Sequence, residues 1–283
     1  HMRSLMQRGN SIEFFPEGGR SRSGLTLAAR TGLISMILRS YASLNMGNVK
    51  IIPVYIGYEK ILEGETYRSE ALGESKRGES IFDALKVLKD FNNYLGNAYI
   101  NFGDPIDVEE FLGKEVGKDN FYIDSPLEKP DWLKETSNAL GEEIMQNINS
   151  SVAVTSSSLF ATALLTENTQ SLNEQKVHSR INMFLELIDK SETYHNSWIP
   201  NKSSNDIINK TINLGLIKKE KVGSANIFKP SLNEIALLSF YKNNISHLFI
   251  LYSAICESLR YSEELSKKEI ARLVTLIYPF LKR

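Results

Sequence analysis

Residues 12–24 read Ile12-Glu13-Phe14-Phe15-Pro16-Glu17-Gly18-Gly19-Arg20-Ser21-Arg22-Ser23-Gly24, and the N-terminal end of the chain is read from them. The alternation over Ser11–Phe15 predicts a short strand. The seven residues from Gly18 then supply three glycines, two arginines and two serines, which is a turn able to hold an anion at a strand end. Glycine lets the main chain approach a ligand closely, and a guanidinium offers forked donors to phosphate oxygens. A phosphorylated small molecule is the expected ligand. The glycine spacing is not that of a P-loop, and no Gly-Lys-Ser/Thr follows. Ser23 stands where a nucleophile elbow needs glycine.

Outward from the turn, Leu27, Ile34, Leu38 and Tyr41 fall at helical spacing and predict a helix over Ala28–Leu44, its N-terminus facing the anion turn. Val49–Gly57 is a near-continuous apolar run that predicts a buried strand. Pro53 inside it removes a ladder hydrogen bond, so an edge, a bulge or a fresh strand start is expected there. A helix over Ser80–Leu95, a strand over Ala98–Phe102 and a helix from Val108 follow. Residues 113–130, charged and broken by Gly117, Pro126 and Pro130, are the expected linker. Beyond it Trp132–Asn149, Ser158–Glu167, Leu172–Ile188, Ser204–Leu214, Glu234–Leu259 and Ser266–Leu281 predict helices, with one short strand signal at Ala225–Lys229. The expected class is therefore an α/β sheet portion over 3–125 and a predominantly α-helical region over 131–283, with His1-Met2 set aside as residues left by an expression vector.

The chain has 283 residues, 42% hydrophobic and 24% charged, with a net charge of −1. That composition excludes disorder and allows two domains. The first sixty residues carry eight Lys/Arg against three Glu. The asymmetry fits an anionic substrate, an acidic carrier or an anionic lipid surface at that end, and the near-neutral total argues against nucleic acid. A solvated basic face is the plain alternative. The two small apolar runs, Ser151–Leu165 and His247–Cys256, are shorter than the roughly 20 residues a membrane span requires. The single cysteine, Cys256, cannot form an internal disulfide and reads as helix core. One cysteine and scattered histidines make no metal cluster.

The stretch FFPEGGRSRSG, with Ala29-Arg30-Thr31-Gly32, Ile51-Ile52-Pro53-Val54-Tyr55-Ile56-Gly57-Tyr58-Glu59, Tyr99-Ile100-Asn101-Phe102-Gly103-Asp104-Pro105 and Tyr241-Lys242-Asn243-Asn244-Ile245-Ser246-His247, resembles the bacterial membrane-associated glycerol-3-phosphate 1-O-acyltransferases along nearly the whole chain. The resemblance implies an α/β acyltransferase-type sheet portion, of which 3–125 is the C-terminal part, followed by an incomplete helical region. It implies transfer of a fatty acyl group from a coenzyme A or acyl carrier protein thioester to the sn-1 hydroxyl of glycerol 3-phosphate, giving lysophosphatidic acid. No other cofactor is implied. It also implies a peripheral place on the cytoplasmic face of the inner membrane.

That family carries a His-x-x-x-x-Asp motif upstream of the turn, whose histidine is the general base. Here the residues five places after His1, His178, His195 and His247 are Met6, Met183, Pro200 and Tyr252. The arginine-rich second motif is missing too. The chain is thus expected to be an internal piece of a longer enzyme, without a catalytic residue of its own and inactive alone. By resemblance, Glu17, Gly18, Gly19, Arg20, Ser21 and Arg22 shape the glycerol phosphate site, Arg30 is a secondary phosphate contact, and Pro53 lies toward the acyl donor. Glu17 has an equally good structural reading, an ion pair with Arg20 or Arg22 that fixes the loop. Phe14, Phe15, Tyr55 and Tyr58 are expected as core and cleft wall. The competing classes are a membrane- or carrier-docking regulatory module and a sugar-phosphate-binding protein unrelated to acyl transfer.

Overall fold

The computed structural model describes residues 1–44, 47, 49–61, 96–167, 171–191, 197–260 and 264–281. In chain order these form α1 (Met2–Gln7), α2 (Thr31–Ala42), β1 (Lys50–Ile51), β2 (Val54–Tyr58), β3 (Ala98–Phe102), β4 (Ile106–Asp107), α3 (Val108–Glu115), α4 (Leu133–Ser150), α5 (Ser156–Leu164), β5 (Leu172–Asn173), α6 (Glu174–Asp189), α7 (Ser204–Asn213), β6 (Lys219–Val222), β7 (Ala225–Phe228), α8 (Leu232–Ile245), a 3₁₀ turn at Ser246–Leu248, α9 (Ile250–Arg260) and α10 (Lys267–Leu281). Small sheets are thus joined to a mostly helical remainder. The helix expected over Ser80–Leu95 lies outside the described residues.

Two apolar cores organise these elements. The first gathers Met6, Ile34, Leu38, Tyr41, Ile106, Phe111, Phe121, Leu133, Leu140 and Ile144, from α1 to α4. The second runs from Val152 to Phe249. Its centre is α5, all nine of whose residues are buried. A helix buried on every side has to be surrounded by others, so the second part of the small-residue run Ser151–Leu165 is a core helix. Thr155 caps it by accepting the Ser158 N–H.

Four expectations are corrected. Ser11–Phe15 forms no strand: Ile12 and Phe14 turn toward the first core while Glu13 and Phe15 face out. The period-2 pattern is there, but no described strand pairs with it, and a strand needs a neighbour for its backbone groups. Glu234–Leu259 is not one helix. It breaks at Ser246–Leu248, where the tighter turn sends Leu248 and Phe249 into the second core, the Phe249 ring 4.7 Å from that of Phe184. Cys256 lies on α9 but is exposed. The strand expected at Ala225–Lys229 forms as β7, but its hairpin partner β6 is not expected from the charged Lys219-Glu220-Lys221, although Gly223 at φ 60° closes a two-residue turn between Val222 and Ala225. Leu172-Asn173 pairs with β7 before Asn173 caps α6, so that helix starts later than its periodicity indicated.

Pro53 explains how the expected Val49–Gly57 strand divides. β1 pairs antiparallel with β4 and β2 with β3, and the break falls at Ile52-Pro53, where the ring has no N–H to give a ladder. The Gly103 N–H donates to the Pro53 carbonyl at 2.8 Å and stitches the two ladders together.

Candidate functional site

The turn is closed on itself before anything else touches it. The Gly18 N–H donates to the Phe15 carbonyl at 3.0 Å, and the Arg30 N–H to the Pro16 carbonyl at 2.7 Å. Glu17 Oε2 accepts the Leu27 N–H at 2.9 Å. Half-burial raises the Glu17 pKa, and that hydrogen bond only partly offsets it. The carboxylate therefore ties the loop through backbone. Gly18 sits at φ 61°, and a Cβ there would lie 2.6 Å from Arg30 Cδ, so glycine is needed both for the conformation and to let the Arg30 stem lie across it.

These closures gather Glu17, Gly18, Gly19, Arg20, Ser21, Arg22 and Arg30 beside the N-terminus of α2. Arg30 is the N-cap of that helix and makes no side-chain cap bond, and no acidic residue lies in the first turn. Arg20, Arg22 and Arg30 are exposed. The Ser21 hydroxyl is buried without a hydrogen-bond partner among the described residues.

The platform beneath the turn is the C-terminal half of α4. Gly141 admits α2 closely, since a Cβ there would lie 3.0 Å from Ala29 Cβ and 3.4 Å from Ile34 Cδ1. Thr26 Oγ1 donates to Asn149 Oδ1 at 2.7 Å. Pro53 reaches the same platform through Gly103, whose Cα faces the Ser151 hydroxyl and the Asn147 carbonyl. Asn101 Nδ2 donates to the Ser151 carbonyl at 2.8 Å. The turn and Pro53, separate in sequence, thus lean on one helix end.

Two groups of residues that sequence reasoning missed hold this arrangement. Asn243 Nδ2 donates to the Ser23 carbonyl at 2.8 Å, and Gly24 (φ 81°) lies against the Phe240 carbonyl of α8. Glu59, fully buried, accepts from Tyr99 Oη at 2.7 Å and from the Asn97 N–H at 2.9 Å, and pairs with Lys210 Nζ at 2.6 Å. Its carbonyl accepts the Ser157 hydroxyl at 2.5 Å. Burial works against the Lys210 charge, but the hydrogen bond and charge of Glu59 outweigh it and raise its pKa. The available signal for Glu59 was a lone acid ending an apolar run. A shallow depression of about 570 Å³ beside Lys210 is lined by Asn201, Asp206, Asn209 and Asn213, and by none of the residues expected to bind substrate.

Among the aromatics, Tyr55 packs against the second core and burial pushes its phenol up to about 12. Phe14 packs against the first core, whereas Phe15 is 71% exposed and Tyr58 51%, so neither is core. His178 Nδ1 lies 3.1 Å from Ser204 Oγ, and His195 is outside the described residues.

His247 Nε2 lies 3.0 Å from the Asn149 carbonyl, to which it donates. Burial pushes its pKa below the ordinary value near 6.5, and that hydrogen bond only partly offsets the shift. The unfolded chain then binds the proton more readily than the folded one. The ring's contribution is complete above about pH 6.5 and is lost as pH falls from there toward the depressed folded value. Urea midpoints measured from pH 7.5 down to 5.5 should fall, and the slope should flatten in His247→Gln.

No helix among the described residues is long and apolar enough to cross a membrane. The family model described as "Glycerol-3-phosphate acyltransferase C-terminal region" matches residues 67–283, and one described as "Acyltransferase" matches 1–57. Among curated proteins, the chain is 33% identical over 282 residues to a glycerol-3-phosphate acyltransferase of Pseudomonas syringae pv. tomato, 32% to one of Pseudomonas aeruginosa and 33% to one of Pseudomonas fluorescens. In each case the match covers 100% of this chain and 34% of the relative, so the chain spans about a third of the length of these relatives. With one family model falling on the cationic turn and the other on the helical remainder, the chain belongs to the glycerol-3-phosphate acyltransferase family, residues 67–283 matching its C-terminal region.

Proposed function

We propose that this chain supplies the phosphate-binding wall of a glycerol-3-phosphate acyltransferase site. The carrying observation is the buried, unpartnered Ser21 hydroxyl within a turn bearing Arg20 and Arg22 beside an α2 N-terminus that lacks a side-chain cap. A buried polar atom without a partner costs stability unless a ligand or water satisfies it, and a phosphate oxygen fits both the hydroxyl and the cations around it. Glu17 and Gly18 shape the turn, Gly19 leaves its backbone open, and Arg30 contributes a further cation. Pro53 sets the approach to the acyl donor through the α4 platform.

In the reaction the primary hydroxyl oxygen of glycerol 3-phosphate bonds to the acyl carbon of a coenzyme A or carrier-protein thioester. The C–S bond breaks, and the hydroxyl proton passes through a general base to the leaving thiolate, giving lysophosphatidic acid. A positioned base contributes about 10²–10⁴ in rate. No histidine here has an aspartate five residues on, so the base is assigned outside this chain, and the chain alone should show no turnover. The reading includes peripheral attachment at the cytoplasmic face of the inner membrane, which the resemblance carries.

Calorimetric titration with glycerol 3-phosphate tests the wall directly. A charge-assisted hydrogen bond to phosphate is worth roughly 1.5–3 kcal/mol, so Arg20→Ala should bind at least about tenfold more weakly. Equal binding by Arg20→Ala, or no binding by the unsubstituted chain, would defeat the proposal.

A further inference from the structure

We infer that the segment Phe240–His247, the end of α8 with the start of the 3₁₀ turn after it, is a clamp whose grip on Ser23–Thr26 sets how tightly the cationic turn binds phosphate. The inference rests on the reading of that turn as a phosphate site. Three contacts carry it. Asn243 Nδ2 donates to the Ser23 carbonyl at 2.8 Å, across 220 residues of sequence. Gly24 is pressed so closely on the same helix that a Cβ would stand 2.1 Å from the Phe240 carbonyl oxygen and 3.1 Å from Asn244 Oδ1. Thr26 is fixed to Asn149 Oδ1, and the carbonyl of that asparagine accepts from His247 at 3.0 Å. Every held residue lies within a few positions of Ser21 and Arg22.

The physical argument concerns preorganisation. A loop of glycines, serines and arginines has many conformations, and an anion site works only when its donors stand within about 0.5 Å of the productive geometry. Turn-internal bonds close the Glu17 side, from Phe15 to Leu27, and Arg30 returns to Pro16. On the opposite side, among the described residues, Ser23, Gly24 and Thr26 are held by α8 and the end of α4. If only a fraction of molecules holds the competent turn, the apparent dissociation constant rises by the inverse of that fraction. Asn243, Thr26 and Asn149 are then positioning residues for phosphate, and so is His247, acting through Asn149. None of the four needs to touch the ligand.

The test compares the unsubstituted chain with Asn243→Leu, Thr26→Val and Thr26→Ser. The valine removes only the donor, and the serine restores it. Amide hydrogen exchange over Glu17–Leu27, measured without ligand, should quicken in Asn243→Leu and Thr26→Val and stay near the parent rate in Thr26→Ser. Glycerol 3-phosphate affinity by calorimetry should fall about three- to tenfold in the first two, the worth of one lost hydrogen bond, with near-parental binding in the serine variant. Unfolding midpoints measured alongside separate a loosened turn from a loosened fold. Unchanged exchange and affinity in Asn243→Leu and Thr26→Val, with binding still lost in Arg20→Ala, overturn the clamp and leave the phosphate site standing. An absence of binding by the unsubstituted chain overturns the phosphate reading and the clamp's role with it.

Discussion

Lys210→Ala is expected to lose about 3–5 kcal/mol of folding stability, because it leaves the fully buried Glu59 carboxylate without its cation. Tyr99 and the Asn97 N–H still donate to that carboxylate, but neither carries a charge. The same residue joins the end of β2 to α5 through Ser157 and to α7 through Lys210, so the loss should propagate between the sheet portion and the helical remainder. Urea denaturation at neutral pH measures it. The double variant Glu59→Gln/Lys210→Met should recover most of the loss, since the amide can still accept from Asn97 and the buried charge is gone. A single-variant cost under about 1 kcal/mol would show that the ion pair is dispensable.

Gly24→Ala should be the most damaging small substitution in the turn. Its φ of 81° is left-handed, which costs an L-residue roughly 1–2 kcal/mol, and the added Cβ would stand 2.1 Å from a backbone carbonyl. A backbone oxygen cannot swing aside as a side chain does, so the turn must come off α8. Glycerol 3-phosphate affinity is expected to drop more than about tenfold, beyond the loss of one hydrogen bond, while both cores remain folded. Near-UV circular dichroism reports the cores and calorimetry reports the site. Gly113→Ala on α3 is the control, since a Cβ there meets only Lys118 Cγ at 3.6 Å, an ordinary contact, and lies outside the turn.

Much of the local structure was legible because it depends on near neighbours. Ala98–Phe102 forms over the residues that its apolar content indicated, and Val108 opens a helix whose cap, Asp107, accepts from the Glu109 and Glu110 N–H groups. The strand break at Pro53 follows from a missing N–H. The failures share another cause. Ser11–Phe15 has the pattern of a strand without a described neighbour to pair with, and Lys219–Val222 became a strand because β7 lay alongside, whatever its charge. The helix break at Ser246–Leu248 was decided by where Phe249 could be buried.

For the site, the residues alone carry the chemistry: a glycine-rich backbone with Glu17, Arg20, Ser21, Arg22 and Arg30 clustered in fourteen residues is cationic and adaptable however it is folded. What holds that cluster still comes from long-range packing. Asn243, Phe240 and Asn149 stand more than a hundred residues downstream, and no periodicity or charge pattern relates them to Ser23, Gly24 and Thr26. Composition and spacing report which groups a segment carries and which dihedrals it tolerates; the partners of a loop's carbonyls are set by the packing of distant helices, which depends on the whole chain at once.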